Sequence, residues 1–202
     1  QDPGRDVELV AAARAAVGDT VEVMIDAGWL VRRTAKEAAA MVRRLEPYRP
    51  YWIEEPLAPD DYDGYRALAA AVATPIAAGE QEATIWGFDT LIHRGKVDIV
   101  QPDLSRCGGF TVARKIADLA ELRNVAVCPH AWLSDLLTAA SLHLNAYLKR
   151  ALFLEFNVSA SPMLRDLCRE PIPLEDGHIR VPQGPGLGVE VNEEVIARYR
   201  VG

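Results

Sequence analysis

Nowhere does the chain carry the ~20 consecutive apolar residues that a membrane span requires. No basic patch is present either, and a formal net charge of −7 argues against a nucleic-acid partner. Cysteine is scarce. Cys107, Cys128 and Cys168 are an odd number without metal-like spacing, which suits reduced thiols in a cytoplasmic protein. Lysine is scarce too: Lys36, Lys96, Lys115 and Lys149 complete the set, and none ends an apolar run. A Schiff-base mechanism on a strand-end lysine is therefore disfavoured. No low-complexity tract or flexible linker breaks the 202 residues.

What the chain does have is acids at the ends of short apolar runs. Tyr51-Trp52-Ile53-Glu54-Glu55-Pro56 reads as a strand that Pro56 stops, with a pair of carboxylates where the loop begins. Acids are seldom buried unless paired or bound to a metal. The pattern recurs. Runs beginning at Val21, Pro75, Val97, Val125 and Ala151 end in Asp26, Glu80, Asp103, His130 and Glu155. With Glu54 these ends fall about 25 residues apart, room for a strand, a helix and two short loops.

Helical patterns fill the intervals: Asp6 to Val17, Thr34 to Pro47, Tyr62 to Val72, Thr84 to Arg94, Gly109 to Leu122 and Ser134 to Leu148. Thr34-Ala35-Lys36-Glu37 is a capping box. Strict alternation predicts parallel βα units. An open doubly wound sheet gathers its ligand residues at one switch point. A β/α barrel brings every strand C-terminus to one mouth, so polar residues at successive ends favour the barrel. The fold class expected is α/β, of the (β/α)8 type. Six strands appear where such a barrel uses eight and roughly 250 residues. The expectation is a chain beginning at the third strand, with the first two ahead of Gln1. Residues 1–157 would form the partial barrel. Residues 158–202, rich in Pro and Gly around 182–188, would pack back over it or onto a further domain.

Asp26, Glu54 and Glu80 end three consecutive strands. Three carboxylates with open positions opposite suit octahedral Mg²⁺, whereas zinc would call for His or Cys among them. Asp103 and His130 end the next two. A carboxylate against one imidazole nitrogen fixes the tautomer, raises basicity and leaves the other nitrogen facing the cavity. Glu155 either donates a hydrogen bond to substrate when protonated or pairs with an arginine. Trp132 is a candidate pocket wall, or core. Mg²⁺ facing a base suits removal of the proton α to a carboxylate, with the resulting charge stabilised by the cation.

With Met24-Ile25-Asp26-Ala27, Trp52-Ile53-Glu54-Glu55-Pro56, Ala78-Gly79-Glu80, Val97 to Asp103, Pro129-His130, Glu155 and Pro185 to Gly188 in order, the chain resembles the enolase superfamily, specifically its mandelate racemase subgroup. The resemblance spans nearly the whole chain. It implies Asp26, Glu54 and Glu80 as Mg²⁺ ligands, His130–Asp103 as the base, and Glu155 as a hydrogen-bond partner of the enediolate. It also implies a sugar-acid substrate, a homo-oligomer, an α+β capping domain, and dehydration as the reaction. Racemase, epimerase or cycloisomerase chemistry at the same site is the alternative, and a non-catalytic barrel scaffold the alternative of another class. Two features depart from the pattern. Gly28 stands where relatives commonly carry Asn. The second base, a lysine on the strand before that of Asp26, would precede Gln1.

Overall fold

The computed structural model of the protein describes residues 3–201; the expected domain bounds at residues 1 and 202 lie just outside them. Among the described residues one sheet of five parallel strands forms, in the order β1 (Ile25–Asp26), β2 (Ile53–Glu54), β3 (Ile76–Ala78), β4 (Ile99–Val100) and β5 (Ala126–Val127). Each strand pairs with the next, and a helix crosses between them. These helices are α2 (Ala35–Leu45), α3 (Tyr62–Ala69), α4 (Thr84–Thr90) and α5 (Gly109–Leu122), with α1 (Pro3–Val17) before the sheet and α6 (Asp135–Tyr147) after it.

Local chemistry sets the helix starts. The Thr34 hydroxyl accepts the Glu37 N–H while Glu37 Oε2 accepts the Thr34 N–H at 2.8 Å, closing the capping box of α2. Asp61 and Ser134 cap α3 and α6 more simply, their side chains accepting the Gly64 and Leu137 N–H groups. Strand alternation then sorts the core into two faces. Ile53, Ile76, Val100 and Val127 pack outward against Val42, Leu68, Ile116 and Leu144 of the helices. Trp52, Ala77, Ile99 and Cys128 form a separate inner cluster with Met24, Tyr51 and Leu152. Helices cover the outer cluster while no helix residue among those described enters the inner one, the arrangement of a β/α barrel wall.

Five expectations need correction. Residues 151–154 do not form a sixth strand: the Phe153 carbonyl accepts from the Asn145 amide at 3.0 Å and from Cys128 Sγ, so side chains take the place of a ladder rung. Val21 and Glu22 are exposed and lie before the first pairing, which begins when the Tyr51 N–H reaches the Val23 carbonyl. The helix expected from Thr84 to Arg94 changes to a π-helical turn over Leu91–Gly95, and α3 stops at Ala69 instead of Val72. The tail holds two helices that no sequence pattern announced, α7 (Pro162–Arg165) and α8 (Glu193–Tyr199). Ile172, Ile179, Leu187 and Val189 of the tail pack on Ala139 and Leu142 of α6, and the Leu187 carbonyl lies 3.1 Å from His143 Nε2.

One buried acid sits apart from the strand ends. Asp135 opens α6, is 3% exposed, and its Oδ2 has no hydrogen-bond partner among the described residues. Burial pushes its carboxyl up to about 6, with Arg165 pulling down and Asp166 pushing up. A carboxyl raised above its unfolded value costs nothing below that unfolded value, and the cost is complete above the folded one. Asp135→Asn is therefore expected to stabilise the protein by about 1–3 kcal/mol at pH 8, with the gain vanishing towards pH 4. Urea midpoints at the two pH values measure this, and equal midpoints for both proteins at pH 8 would refute it.

Candidate active site

The parallel register sets Asp26 directly opposite Glu54, about 4.8 Å away across the ladder. Glu80 follows β3 after a sharp bend at Gly79, whose φ of +125° leaves no room for a side chain: a Cβ there would stand 2.9 Å from the Phe88 ring. Each acid has a donor of its own. The Gly28 N–H donates to Asp26 Oδ1 at 2.9 Å, and the Trp52 indole N–H donates to Glu54 Oε2 at 3.2 Å. Glu80 Oε1 accepts from the Trp29 indole and the Gln81 amide, each at 2.9 Å. Among the described residues no three Asp, Glu, His or Cys side chains are drawn close enough to clasp a metal ion.

Asp103 and His130 meet at short range. His130 Nδ1 lies 2.7 Å from Asp103 Oδ2, and both side chains are buried. Asp103 Oδ1 is held by the Ser105 N–H at 2.7 Å and by the Ser105 hydroxyl. Burial works to raise the Asp103 carboxyl, but the hydrogen bonds from His130 and Ser105 hold it below the ordinary range. Burial likewise works to lower the His130 imidazole, and the Asp103 bond with the charges of Glu155 and Glu80 lifts it above its usual value. The second nitrogen, Nε2, faces Glu80 Oε2 at 3.5 Å.

Glu155 lies on the extended segment after residue 151, and its Oε2 accepts the Ala131 N–H. Burial raises its carboxyl; the Ala131 bond and His130 oppose this, and Glu80 and Asp26 add to it. Burial also raises Asp26, against the Gly28 bond and with the push of Glu80. Glu54 is pushed up to about 7, first by burial and then by Asp26 and Glu155, although Gln101 and Trp52 donate to it. Five carboxylates and one imidazole thus share one field at the ends of the strands. Trp132 is 53% exposed, so it is not core; its carbonyl accepts from the Asn157 amide. A cleft of about 910 Å³ opens at the other ends of the strands, lined by Glu22, Pro50, Pro75 and Asp98, away from this chemistry.

Sequence reasoning gave no role to several contributors, Trp29, Gln81, Gln101 and Ser105 among them; Trp29 lies in a loop without any local motif, and Gln101 sits inside the Val97 to Asp103 stretch without marking a role of its own. Glu55 was visible beside Glu54, yet alternation turns it to the opposite face, where it is 1% exposed. Its φ of +43° places a non-glycine residue in the left-handed region, at a cost on the order of 1–2 kcal/mol. The Tyr65 hydroxyl and the Gly79 N–H both bond its carboxylate, at 3.0 and 2.7 Å.

The family described as enolase C-terminal domain-like matches residues 1–195. The chain belongs to that family. It is 39% identical over 94% of its length to the D-galactonate dehydratase of Ralstonia nicotianae, covering 51% of that protein. It is 34% identical over 97% of its length to the D-galactarolactone cycloisomerase of Agrobacterium fabrum, covering 53% of that one. The solved structure of the 3,6-anhydro-D-galactonate cycloisomerase from Zobellia galactanivorans superposes with a TM-score of 0.91 at 36% identity, over 98% of this chain and 55% of that one. The chain therefore spans about half the length of the curated relatives it matches. No helix among the described residues is long and apolar enough to cross a membrane.

Proposed function

We propose that this enolase-superfamily chain removes the α-proton of a sugar-acid carboxylate and then expels the β-hydroxyl, acting as an acid-sugar dehydratase. The observation that carries the reading is the buried His130–Asp103 pair at 2.7 Å, whose second nitrogen turns towards the acids at the strand ends. Asp103 fixes the imidazole tautomer and sustains its basicity, so His130 Nε2 takes the proton from the carbon next to the carboxylate. The electron pair of that C–H bond passes into the carboxylate, giving an enediolate. The β-hydroxyl then leaves as water, taking the proton that His130 gained and restoring the neutral imidazole, and the enol product ketonises to a 2-keto-3-deoxy acid. Glu155, with its carboxyl raised, donates a hydrogen bond to the enediolate in its protonated form.

By donor chemistry the acids at the strand ends suit a divalent cation, although their side chains are not drawn together into a metal cluster. Asp26, Glu54 and Glu80 offer only hard oxygen donors, and Glu54 is raised to about 7 by burial and like charges that a cation would offset. These three would hold Mg²⁺, which when bound supplies positive charge against the negative charge developing on the substrate carboxylate. Trp132, exposed beyond His130, would wall the substrate. A cytoplasmic location accords with the three free, buried thiols, and the assembly proposed is a homo-oligomer. Residues 1–157 would carry the site, and 158–202 the segment that packs over the barrel or onto a further domain.

The cycloisomerase names among similar proteins favour one second reading, isomerisation at the same centre. Incubating the protein with Mg²⁺ and a panel of aldonic and aldaric acids decides between them. Dehydration yields 2-keto-3-deoxy products. Exchange of the α-hydrogen in deuterated water without loss of hydroxyl would replace dehydration by the isomerase reading. Neither product nor exchange across the panel would leave the barrel as a scaffold and overturn both.

A further inference from the structure

The parallel ladder between β2 and β3 is interrupted where it reaches the acids. The Ile53 N–H donates to the Pro75 carbonyl at 2.9 Å, and the Glu55 N–H to the Ala77 carbonyl at 3.0 Å. By the spacing of a parallel ladder, the next bond would run from the Gly79 N–H back to the Glu55 carbonyl. It runs instead to the Glu55 carboxylate, Oε1, at 2.7 Å. The positive φ of Glu55 turns the backbone out of the ladder there, and the side chain supplies the acceptor that the backbone has withdrawn.

We propose that Glu55 is a positioning residue, a side-chain latch that sets the end of β3, with Glu80, against the end of β2, with Glu54. The inference rests on the reading of those two acids as Mg²⁺ ligands. Three features make the latch stiff. Glu55 is 1% exposed, so no water competes for Oε1. The Tyr65 hydroxyl, on α3, anchors Oε2 at 3.0 Å and also lies 3.3 Å from the Leu57 carbonyl. Gly79 is confined to glycine by Phe88, which fixes the direction of the N–H that the latch holds. Each acid flanking this contact is one residue away: Glu54 precedes Glu55, and Glu80 follows Gly79. A displacement at the latch therefore passes directly to the two carboxylates. Burial of an acid at a strained backbone position is otherwise unfavourable.

The test compares Glu55→Ala, Glu55→Gln and Tyr65→Phe with wild type in the full-length protein, reading amide hydrogen exchange at Gly79 and Mg²⁺ affinity by calorimetry. Glu55→Ala is expected to lose protection at Gly79 and about 10–100-fold in Mg²⁺ affinity, the range typical of outer partners of metal ligands. Glu55→Gln keeps an acceptor for the Gly79 N–H, while its amide donates to the Tyr65 oxygen and the Tyr65 hydroxyl turns to Leu57. It is expected to retain both protection and affinity. Tyr65→Phe loosens the anchor without removing the latch and should move both readouts in the same direction by less. Gly79 exposed with unchanged Mg²⁺ affinity overturns the proposal. The measurement falls to Glu55→Ala if that protein folds, and to Tyr65→Phe if it does not. Absence of Mg²⁺ affinity in wild type would instead overturn the proposed metal site, and this inference with it.

Discussion

His130→Asn is expected to lower turnover of a sugar-acid substrate by roughly 10²–10⁴-fold, the span that general acid–base groups contribute, while leaving Mg²⁺ affinity unchanged. Asparagine can occupy the volume and can still donate to Asp103, but it has no nitrogen that accepts a proton near neutral pH. The fold should hold. Asp103 keeps its Ser105 partners, and the Ala131 N–H remains bonded to Glu155. Steady-state kinetics measure the loss and titration calorimetry the metal. Loss of Mg²⁺ affinity together with turnover would make His130 a ligand, and retained turnover would remove it as the base.

Much of this site was legible because βα units repeat at a nearly constant length. The positions of Asp26, Glu54, Glu80, Asp103, His130 and Glu155 required only that apolar runs and helix caps be recognised, and the capping box at Thr34 and the glycine before α5 are local signals. Strand extent was not legible. Val21 is as apolar as Ile25, but only tertiary pairing decides which of them enters the ladder. Residues 151–154 have a strand-like composition and lack a strand: the Phe153 carbonyl is taken by the side chains of Asn145, just before in sequence, and of Cys128, a neighbour only in the folded chain. Glu55 failed for a different reason. Alternation assigns each residue to a face, and an acid on the helix-facing side of a barrel strand contradicts the hydrophobic pattern. Its partners, Tyr65 and Gly79, become adjacent only once α3 packs on the sheet.

The final prediction separates charge from coordination. Glu54→Gln is expected to weaken Mg²⁺ binding by more than about 100-fold, beyond the 10–100-fold typical of outer partners, because a neutral amide replaces a charged oxygen donor. The same substitution is expected to make the metal-free protein more stable. Burial, then Asp26 and Glu155, raise the Glu54 carboxyl to about 7 in the folded state, against an unfolded value near 4.3. The cost of ionising it is absent below pH ~4, grows as pH rises through the folded value, and is complete above it. Glutamine has no such cost, so the gain should reach on the order of 2 kcal/mol at pH 8 and fade at pH 4. Chelated protein unfolded in urea at both pH values gives the stability arm, and calorimetry gives the metal arm. A variant that lost stability at pH 8 would show that the Glu54 charge is already balanced within the protein. Its acids would then lack the uncompensated charge that makes them a site for a dication.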